Sequence, residues 1–183
     1  DECWNGYTLI AGKSRGPIIL PIILIDMNGN VVYQWDIAGG RPRLLENGHV
    51  VILGSEDKVL EYDWEGNLVW EYEALGHPHH DVGRLSNGNT IFIHTETVPA
   101  EYMELVEDPE RRAIELRGDG LCEVNQKGEI VWEWHGYEHL DLNTYCPADR
   151  EADWMHTNTV QVLPENHWYD EGYKEFKPGN VLF

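Results

Sequence analysis

Histidines gather in two short stretches of the sequence that are rich in other hydrogen-bonding groups. The stretches are "GHPHHDVGRL" (76–85) and "DWMHTNTVQVL" (153–163). Imidazoles and amides can donate hydrogen bonds to the oxygens of an anion and so stabilise charge that grows in a transition state. A histidine can also act as general acid, general base or nucleophile near neutral pH. These stretches are therefore the first candidates for a functional site.

Three side chains of the two stretches are placed to meet. His156 and Asn158 are two residues apart, and side chains with that spacing point to one face of a strand. When the stretches are aligned on the first valine of their apolar runs, His80 falls opposite Asn158. We expect His80, His156 and Asn158 to converge from neighbouring structural units and to be the catalytic residues.

The remaining polar residues are open to several interpretations. Three histidines and an aspartate could hold a transition metal, but the 77–80 histidines are too close in sequence to assume convergence, so no metal ligand is predicted. Taken alone, His79 is better explained as part of a solvated loop. Beside the catalytic candidates, His79 and Thr157 are candidate substrate-binding residues, as is Arg41 of "GGRPRLL". His94 and His135 show no partner pattern and are expected at the surface or in turns.

An internal repeat indicates the elements that carry these residues. "IDMNGNVVYQW" (25–35), "YDWEGNLVWEY" (62–72) and "VNQKGEIVWEW" (124–134) share a turn glycine followed by alternating apolar residues. A second pattern, "RLLENGHVVIL" (43–53) and "RLSNGNTIFIH" (84–94), alternates with the first. Glycine at such turns supplies positive φ, and period-two alternation predicts strands. The acidic residues before the turns are expected to be structural.

Repeat length favours an all-β fold, a β-propeller of four-stranded antiparallel blades. About 40 residues per unit match one blade, with aromatic residues packing blade on blade. A β-sandwich or β-solenoid is the alternative. The predicted units are about 23–58, 59–95 and 121–183, with an insertion at 96–120. A propeller needs about four to eight blades, so 1–183 is expected to be a partial propeller from a longer chain or an assembly.

Composition limits the partners. The formal charge of −20, from 33 acidic and 13 basic residues, argues against nucleic acid or an anionic membrane. It leaves a small anionic ligand open, because local donors can outweigh a distant net charge. No apolar run is long enough to span a membrane, and a homo-oligomer is compatible with the sequence. The three cysteines lack CxxC spacing, so one disulfide or none is expected.

Four segments together resemble one family of bacterial proteins. "GYTLIAG" (6–12), "ILIDMNGNVVYQW" (23–35), "HHDVGRLSNGN" (79–89) and "DWMHTNTVQVLP" (153–164) are similar in order and kind to the arylsulfotransferases. The single-turn motifs are unspecific, whereas "HHD" followed by "DWMHTNT" is more specific. The resemblance covers nearly the whole chain.

The resemblance implies a six-bladed propeller and a reaction. Such enzymes move a sulfuryl group between phenols through a sulfohistidine, with no cofactor and without the nucleotide donor PAPS. They are typically exported, so a periplasmic or extracellular location is expected. His80, His156 and Asn158 match residues that hold the sulfate oxygens and the leaving phenol oxygen. The family's nucleophilic histidine would follow Phe183, as would an arginine.

Three hypotheses about function stay open at this point. The first is an arylsulfotransferase-like transferase acting on an aryl sulfate and a phenol. The second is a non-catalytic propeller that serves as a binding or assembly module. The third is a metal-dependent enzyme that uses the histidines of the two stretches, which are expected to line the central channel of the propeller.

Overall fold

The computed structural model describes residues 5–12, 20–144 and 152–183. These fall into two compact units, Asp1–Leu75 and Gly76–Phe183. Within the described ranges, no helix is both long enough and apolar enough to cross a membrane.

The first unit holds two antiparallel sheets whose strands follow one another in chain order. The three-stranded sheet consists of β1 (Thr8–Ala11), β2 (Ile22–Ile25) and β3 (Val31–Trp35). The four-stranded sheet consists of β4 (Gly40–Leu44), β5 (Val50–Leu53), β6 (Lys58–Tyr62) and β7 (Leu68–Glu73). A meander of four neighbouring strands is the arrangement of a propeller blade.

The second unit repeats this arrangement and adds short helices. Its four-stranded meander consists of β8 (Pro78–Arg84), β9 (Thr90–Thr97), β10 (Arg117–Val124) and β11 (Ile130–His135). A hairpin follows, made of β12 (Gln161–Val162) and β13 (Val181–Leu182). The helical turns are α1 (Ala100–Met103), α2 (Pro109–Arg112), α3 (Gly136–His139), α4 (His167–Asp170) and a 3₁₀ turn (Lys174–Phe176).

The sheets confirm the prediction of an all-β fold built from antiparallel blades of the propeller type. Each predicted repeat runs from the last two strands of one sheet into the first strands that follow it in the chain. The unit at 23–58, for example, spans most of β2, then β3, β4 and β5. Helices α1 and α2 lie within the stretch predicted as an insertion.

The turn glycines behave as the repeat predicts. All five have φ between 78° and 87° (Gly29, Gly48, Gly66, Gly88 and Gly128). Ahead of them, Asp26 Oδ1 accepts hydrogen bonds from the Asn28 and Asn30 amides at 2.8 and 2.9 Å. Hydrogen bonds from the Asn30 side chain and backbone lower the pKa of Asp26. The structural role expected of these acidic turn residues is confirmed.

Aromatic residues join the two sheets of the first unit. Trp35 at the end of β3 is buried and lies 5.1 Å from the ring of Trp64, edge to face. Tyr33 packs on both and donates its hydroxyl to the Trp64 carbonyl at 2.8 Å. Edge-to-face aromatic pairs add to the stabilisation from burial alone. Aromatic packing of sheet on sheet is therefore confirmed in this unit.

Cys122 gives a chemical test of the β10 core. It is a free thiol, only 4% exposed, and burial raises its pKa to about 12. The thiolate is the reactive form, so native protein with Cys3→Ser and Cys146→Ser should not react with a disulfide reagent at about pH 8. The same protein should react fully in denaturant. Rapid labelling of the folded protein would contradict this packing.

Candidate functional site

A β-bulge shapes the strand that carries the first histidines. Pairing between β8 and β9 shifts between His79 and Val82, which leaves His80 and Asp81 as extra residues. His80 has φ of 58°, a left-handed conformation that non-glycine residues seldom adopt. A bulge re-aims side chains, so the usual alternation of faces does not separate His79 from His80. Backbone strain of this kind clusters at functional sites.

Three imidazoles meet at this bulge. The ring centroids of His80 and His156 lie 4.7 Å apart, and those of His79 lie 5.1 Å from His80 and 6.1 Å from His156. The Nε2 atoms of His80 and His156 are 2.9 Å apart, within hydrogen-bond distance. Two histidines 76 residues apart in sequence thus share one contact.

Asp153 orients His156. Its Oδ2 atom lies 2.9 Å from His156 Nδ1. A carboxylate accepts only, so Nδ1 carries the hydrogen and Nε2 is left to face His80. The His156 side chain is 53% exposed and that of Asp153 21%. The pair thus lies at an open surface where a ligand can reach Nε2.

Asp119 holds the other side of the cluster from the middle of β10. It is 3% exposed, and its Oδ1 atom lies 3.0 Å from His79 Nε2. Its Oδ2 atom accepts a hydrogen bond from the Thr157 amide at 2.5 Å. One buried carboxylate therefore fixes both a histidine ring and the backbone next to His156.

Asp81 ties the second stretch to the bulge. It is 3% exposed, and its Oδ2 atom accepts hydrogen bonds from the Thr159 hydroxyl at 2.9 Å and the Val160 amide at 3.0 Å. Its Oδ1 atom accepts from the Val82 amide at 3.0 Å. His80 and Asp81 are the two extra residues of one bulge. The bulge therefore places the His80 imidazole at the cavity and, next to it, a buried carboxylate that bonds to the second stretch.

Backbone pairing fixes the start of the second stretch. The Arg117 amide donates to the Ala152 carbonyl at 2.8 Å, and the Trp154 amide donates to the Arg117 carbonyl at 2.9 Å. The Trp154 ring is buried in a cluster with Val98 and Leu116. Asp153 is therefore held between two anchored neighbours, with its carboxylate turned to His156.

The cluster opens into a small polar cavity of about 180 Å³. It is lined by residues of β8 and the loop before it, of β9 and β10, and of the second stretch: His77, His79, His80, Thr95, Arg117, Asp119, Asp153 and His156. Cationic and imidazole groups outnumber carboxylates here, despite the strongly acidic composition of the chain. A cavity of this size and polarity suits a small oxyanion or the charged end of a larger ligand.

The structure brings together most of the predicted site residues. His79, His80 and His156 converge, and the buried Thr157 donates its amide to Asp119, the carboxylate that also contacts His79. Interpreting His79 as part of a solvated loop was wrong, because it lies in β8 and contacts Asp119. The bulge supplies the physical reason, since it lets two consecutive histidines serve one cluster.

Asn158 and Arg41 are placed differently. Asn158 is exposed, and its amide nitrogen donates to the His156 carbonyl at 2.8 Å. Its side chain thus braces the backbone beside the cavity. Arg41 belongs to the first unit, where it is exposed on β4 with φ of 55°. It occupies the bulge of β4, the position that His80 occupies on β8.

Sequence reasoning gave no role to the three aspartates that position the cluster. Asp153 could have been found from its spacing three residues before His156, and Asp81 from its place after His80. Asp119 gives a fainter signal, "RGDGLC", in which glycines flank it on the strand. A Cβ on Gly118 would come within 3.0 Å of the Trp154 ring, and one on Gly120 within 2.7 Å of His94 Nε2.

A second group of titratable residues lies beside Gly120. His94 is 8% exposed, and Glu96 Oε2 lies 2.7 Å from His135 Nδ1. Expecting His94 at the surface was wrong, because β9 is covered on both faces at this point. Burial lowers the pKa of His94 and raises that of Glu96.

These two pKa shifts make the free energy of unfolding depend on pH in opposite directions. The unfolded chain binds a proton at His94 more readily than the folded chain, so the free energy of unfolding falls as the pH drops below the ordinary value of 6.5. Glu96 contributes stability below its ordinary value of 4.5, which is lost as the pH rises through its folded value.

We expect His94→Gln to lose less unfolding free energy than wild type when the pH is lowered. The free energy of unfolding, measured by urea titration at about pH 8 and about pH 5.5, should fall less in His94→Gln than in wild type. His167→Gln, at an exposed position, should keep the wild-type pH dependence. An equal fall in wild type and His94→Gln would contradict a buried, neutral His94.

Within the described ranges, no group of three or more His, Cys, Asp or Glu side chains is arranged to hold a metal ion. Two of the imidazoles in the cluster are instead paired with carboxylates.

Comparison with known proteins supports the family resemblance. The Arylsulfotransferase (ASST) family matches residues 21–169, a span that includes the whole histidine cluster. No curated protein matches the sequence significantly. A crystal structure of a protein of unknown function from Bacteroides caccae is similar over 62% of this chain and 38% of that one, at 13% identity and a TM-score of 0.37. The chain therefore spans well under half of that protein, and by its family match it belongs to the arylsulfotransferase family.

Proposed function

We propose that this chain forms part of an enzyme that transfers a sulfuryl group from an aryl sulfate to a phenolic acceptor without PAPS. The observation that carries the proposal is the cluster of His79, His80 and His156, which opens to solvent on one side and is backed by carboxylates on the other. Family membership supports arylsulfotransferase-type chemistry. A periplasmic or extracellular location is part of the same proposal.

The proposed reaction has two half-steps. In the first half-step, a histidine attacks the sulfur of the aryl sulfate. The bond from sulfur to the aryl oxygen breaks, and a sulfur–nitrogen bond forms. The leaving phenolate takes a proton from a protonated imidazole of the cluster. A second phenol then attacks sulfur and gives its proton to the cluster imidazole that lost one, while the sulfur–nitrogen bond breaks and restores the free histidine. By the resemblance, the attacking histidine would come from a later blade.

The described residues have distinct roles in this scheme. His80 and His156 would hold sulfuryl oxygens through Nε2, and His79 would add a donor beside them. Thr157 would keep the backbone in place through Asp119, while Asn158 would contact the substrate from the rim. Arg41 stays a prediction of a substrate-binding residue that rests on the sequence alone.

The test is sulfuryl exchange in the natural protein. Incubation with 4-nitrophenyl sulfate and phenol, with no nucleotide added, should release 4-nitrophenol and form phenyl sulfate. With donor alone, the protein should gain the mass of one sulfuryl group, carried on histidine and lost when phenol is added. Absence of both exchange and the covalent species would overturn the proposal.

A further inference from the structure

Building on this proposed function, we propose that the His80–His156 pair takes up one proton when it binds an oxyanion. Asp153 is the positioning residue that makes this uptake possible. The ligand class is a tetrahedral oxyanion, represented by free sulfate or by the sulfuryl end of an aryl sulfate. The inference rests on counting hydrogens in the contacts of the pair.

His156 has one nitrogen whose hydrogen is fixed. Its Nδ1 atom faces the carboxylate of Asp153 at 2.9 Å, and that contact requires hydrogen on Nδ1. Neutral His156 then has a lone pair on Nε2. The second nitrogen can carry a hydrogen only if the ring becomes an imidazolium.

The space between the two rings holds a single hydrogen. The Nε2 atoms of His80 and His156 are 2.9 Å apart, which fits one N–H···N bond and excludes two hydrogens pointing at each other. In the unliganded pair, His80 therefore donates to His156. In this state, neither Nε2 atom has a second hydrogen that it could donate to an anion between the rings.

Binding an oxyanion through both rings changes this count. Each Nε2 must then donate to oxygen, so His156 gains a hydrogen that the pair did not hold before. The balance is one proton taken from solution for each anion bound, and the charge of the pair rises by one. The new imidazolium is stabilised by Asp153 on one side and by the anion on the other.

The other charged groups around the pair bear on the same balance. From β8 and the loop before it come His79 and His77, and from β10 come Arg117 and Asp119. Arg117 favours the anion and opposes a further positive charge. Asp119 is already engaged by the His79 ring and the Thr157 amide. Asp153 is thus the carboxylate in direct contact with the ring that gains the proton.

Calorimetry with inorganic sulfate tests the inference. Titrations of the natural protein at about pH 8, in two amine buffers with different ionisation enthalpies, give the number of protons taken up per sulfate from the slope of binding enthalpy against buffer enthalpy. We expect a value near one for wild type.

Asp153→Asn isolates the positioning role. The amide keeps the size of the side chain and removes its negative charge, so proton uptake should fall well below one and sulfate affinity at about pH 8 should drop roughly tenfold. Asp170→Asn is the matched control, because Asp170 is exposed and also lies three residues from a histidine, His167. It should bind sulfate as wild type does.

The outcomes separate this inference from the proposed reaction. Sulfate binding with no proton uptake at about pH 8, or wild-type uptake in Asp153→Asn, would overturn the inference even if sulfuryl exchange occurs. Proton-coupled sulfate binding without exchange would support the inference and overturn the proposed function. Failure of sulfate to bind at all would overturn the inference.

Discussion

Replacing His156 by alanine is expected to lower the rate of sulfuryl exchange by about 10²–10³-fold, the usual effect of removing one donor to a developing anion. The truncation removes the Nε2 atom that lies 2.9 Å from His80 and the Nδ1 atom that contacts Asp153. His80 then loses this contact, and a bound anion loses one of its two imidazole donors. The loss should fall mainly on kcat, because the contact strengthens in the transition state.

The comparison variants make this result specific. His80→Ala should have a similar effect, and the double variant should lose little more than either single one, because the two rings act as a unit. His167→Ala, at an exposed position away from the cluster, should exchange at the wild-type rate. His156→Ala and His167→Ala should show wild-type unfolding curves, since both side chains are exposed. Undiminished exchange in His156→Ala would remove this residue from the mechanism.

Asp119→Ala is expected to lower the free energy of unfolding by about 3–5 kcal/mol, the range for breaking one side of a buried polar pair. Asp119 is 3% exposed and accepts from both the His79 ring and the Thr157 amide. After truncation, both donors stay buried without that acceptor, and each unsatisfied group carries its own desolvation cost. A urea titration of the variant measures the loss directly.

Two further aspartate variants serve as comparisons for the loss of unfolding free energy in Asp119→Ala. Asp119→Asn keeps one acceptor oxygen, so its loss should be smaller than that of the alanine variant. Asp170→Ala, on the exposed α4 turn, should change stability by no more than about 0.5 kcal/mol. A loss below about 1 kcal/mol in Asp119→Ala would mean that Asp119 does not organise the cluster.

The strands and turns could be predicted because their signals are local. Each blade repeats a turn glycine with positive φ, followed by alternating apolar and polar residues. That period of two predicts a strand. Gly66 and Asp63, for instance, specify their turn from within five residues. The convergence of His80 and His156 was predictable from the matching places of the two stretches, each just ahead of an apolar run, and not from strand alternation, because a bulge lies at His80 and β12 begins only at Gln161.

Among the supporting carboxylates, Asp119 was not predictable in the same way. Asp119 lies about 40 residues from both His79 and Thr157, and nothing local in the sequence marks that pairing. His79 was misjudged as part of a solvated loop because polar residues ahead of an apolar run are typical of turns, and nothing local marks its contact with Asp119. Buried His94 was missed for a related reason, since its burial depends on how β9 is covered by elements far away in sequence.

The most direct measurement is the location of a bound oxyanion. Crystals of the natural protein soaked with selenate, whose selenium gives an anomalous signal, would show where a sulfate-like anion lies. We expect selenate oxygens within hydrogen-bond distance of Nε2 on both His80 and His156, with the two nitrogens separated beyond their present 2.9 Å. Selenate bound only elsewhere, with the His80–His156 contact intact, would contradict the account.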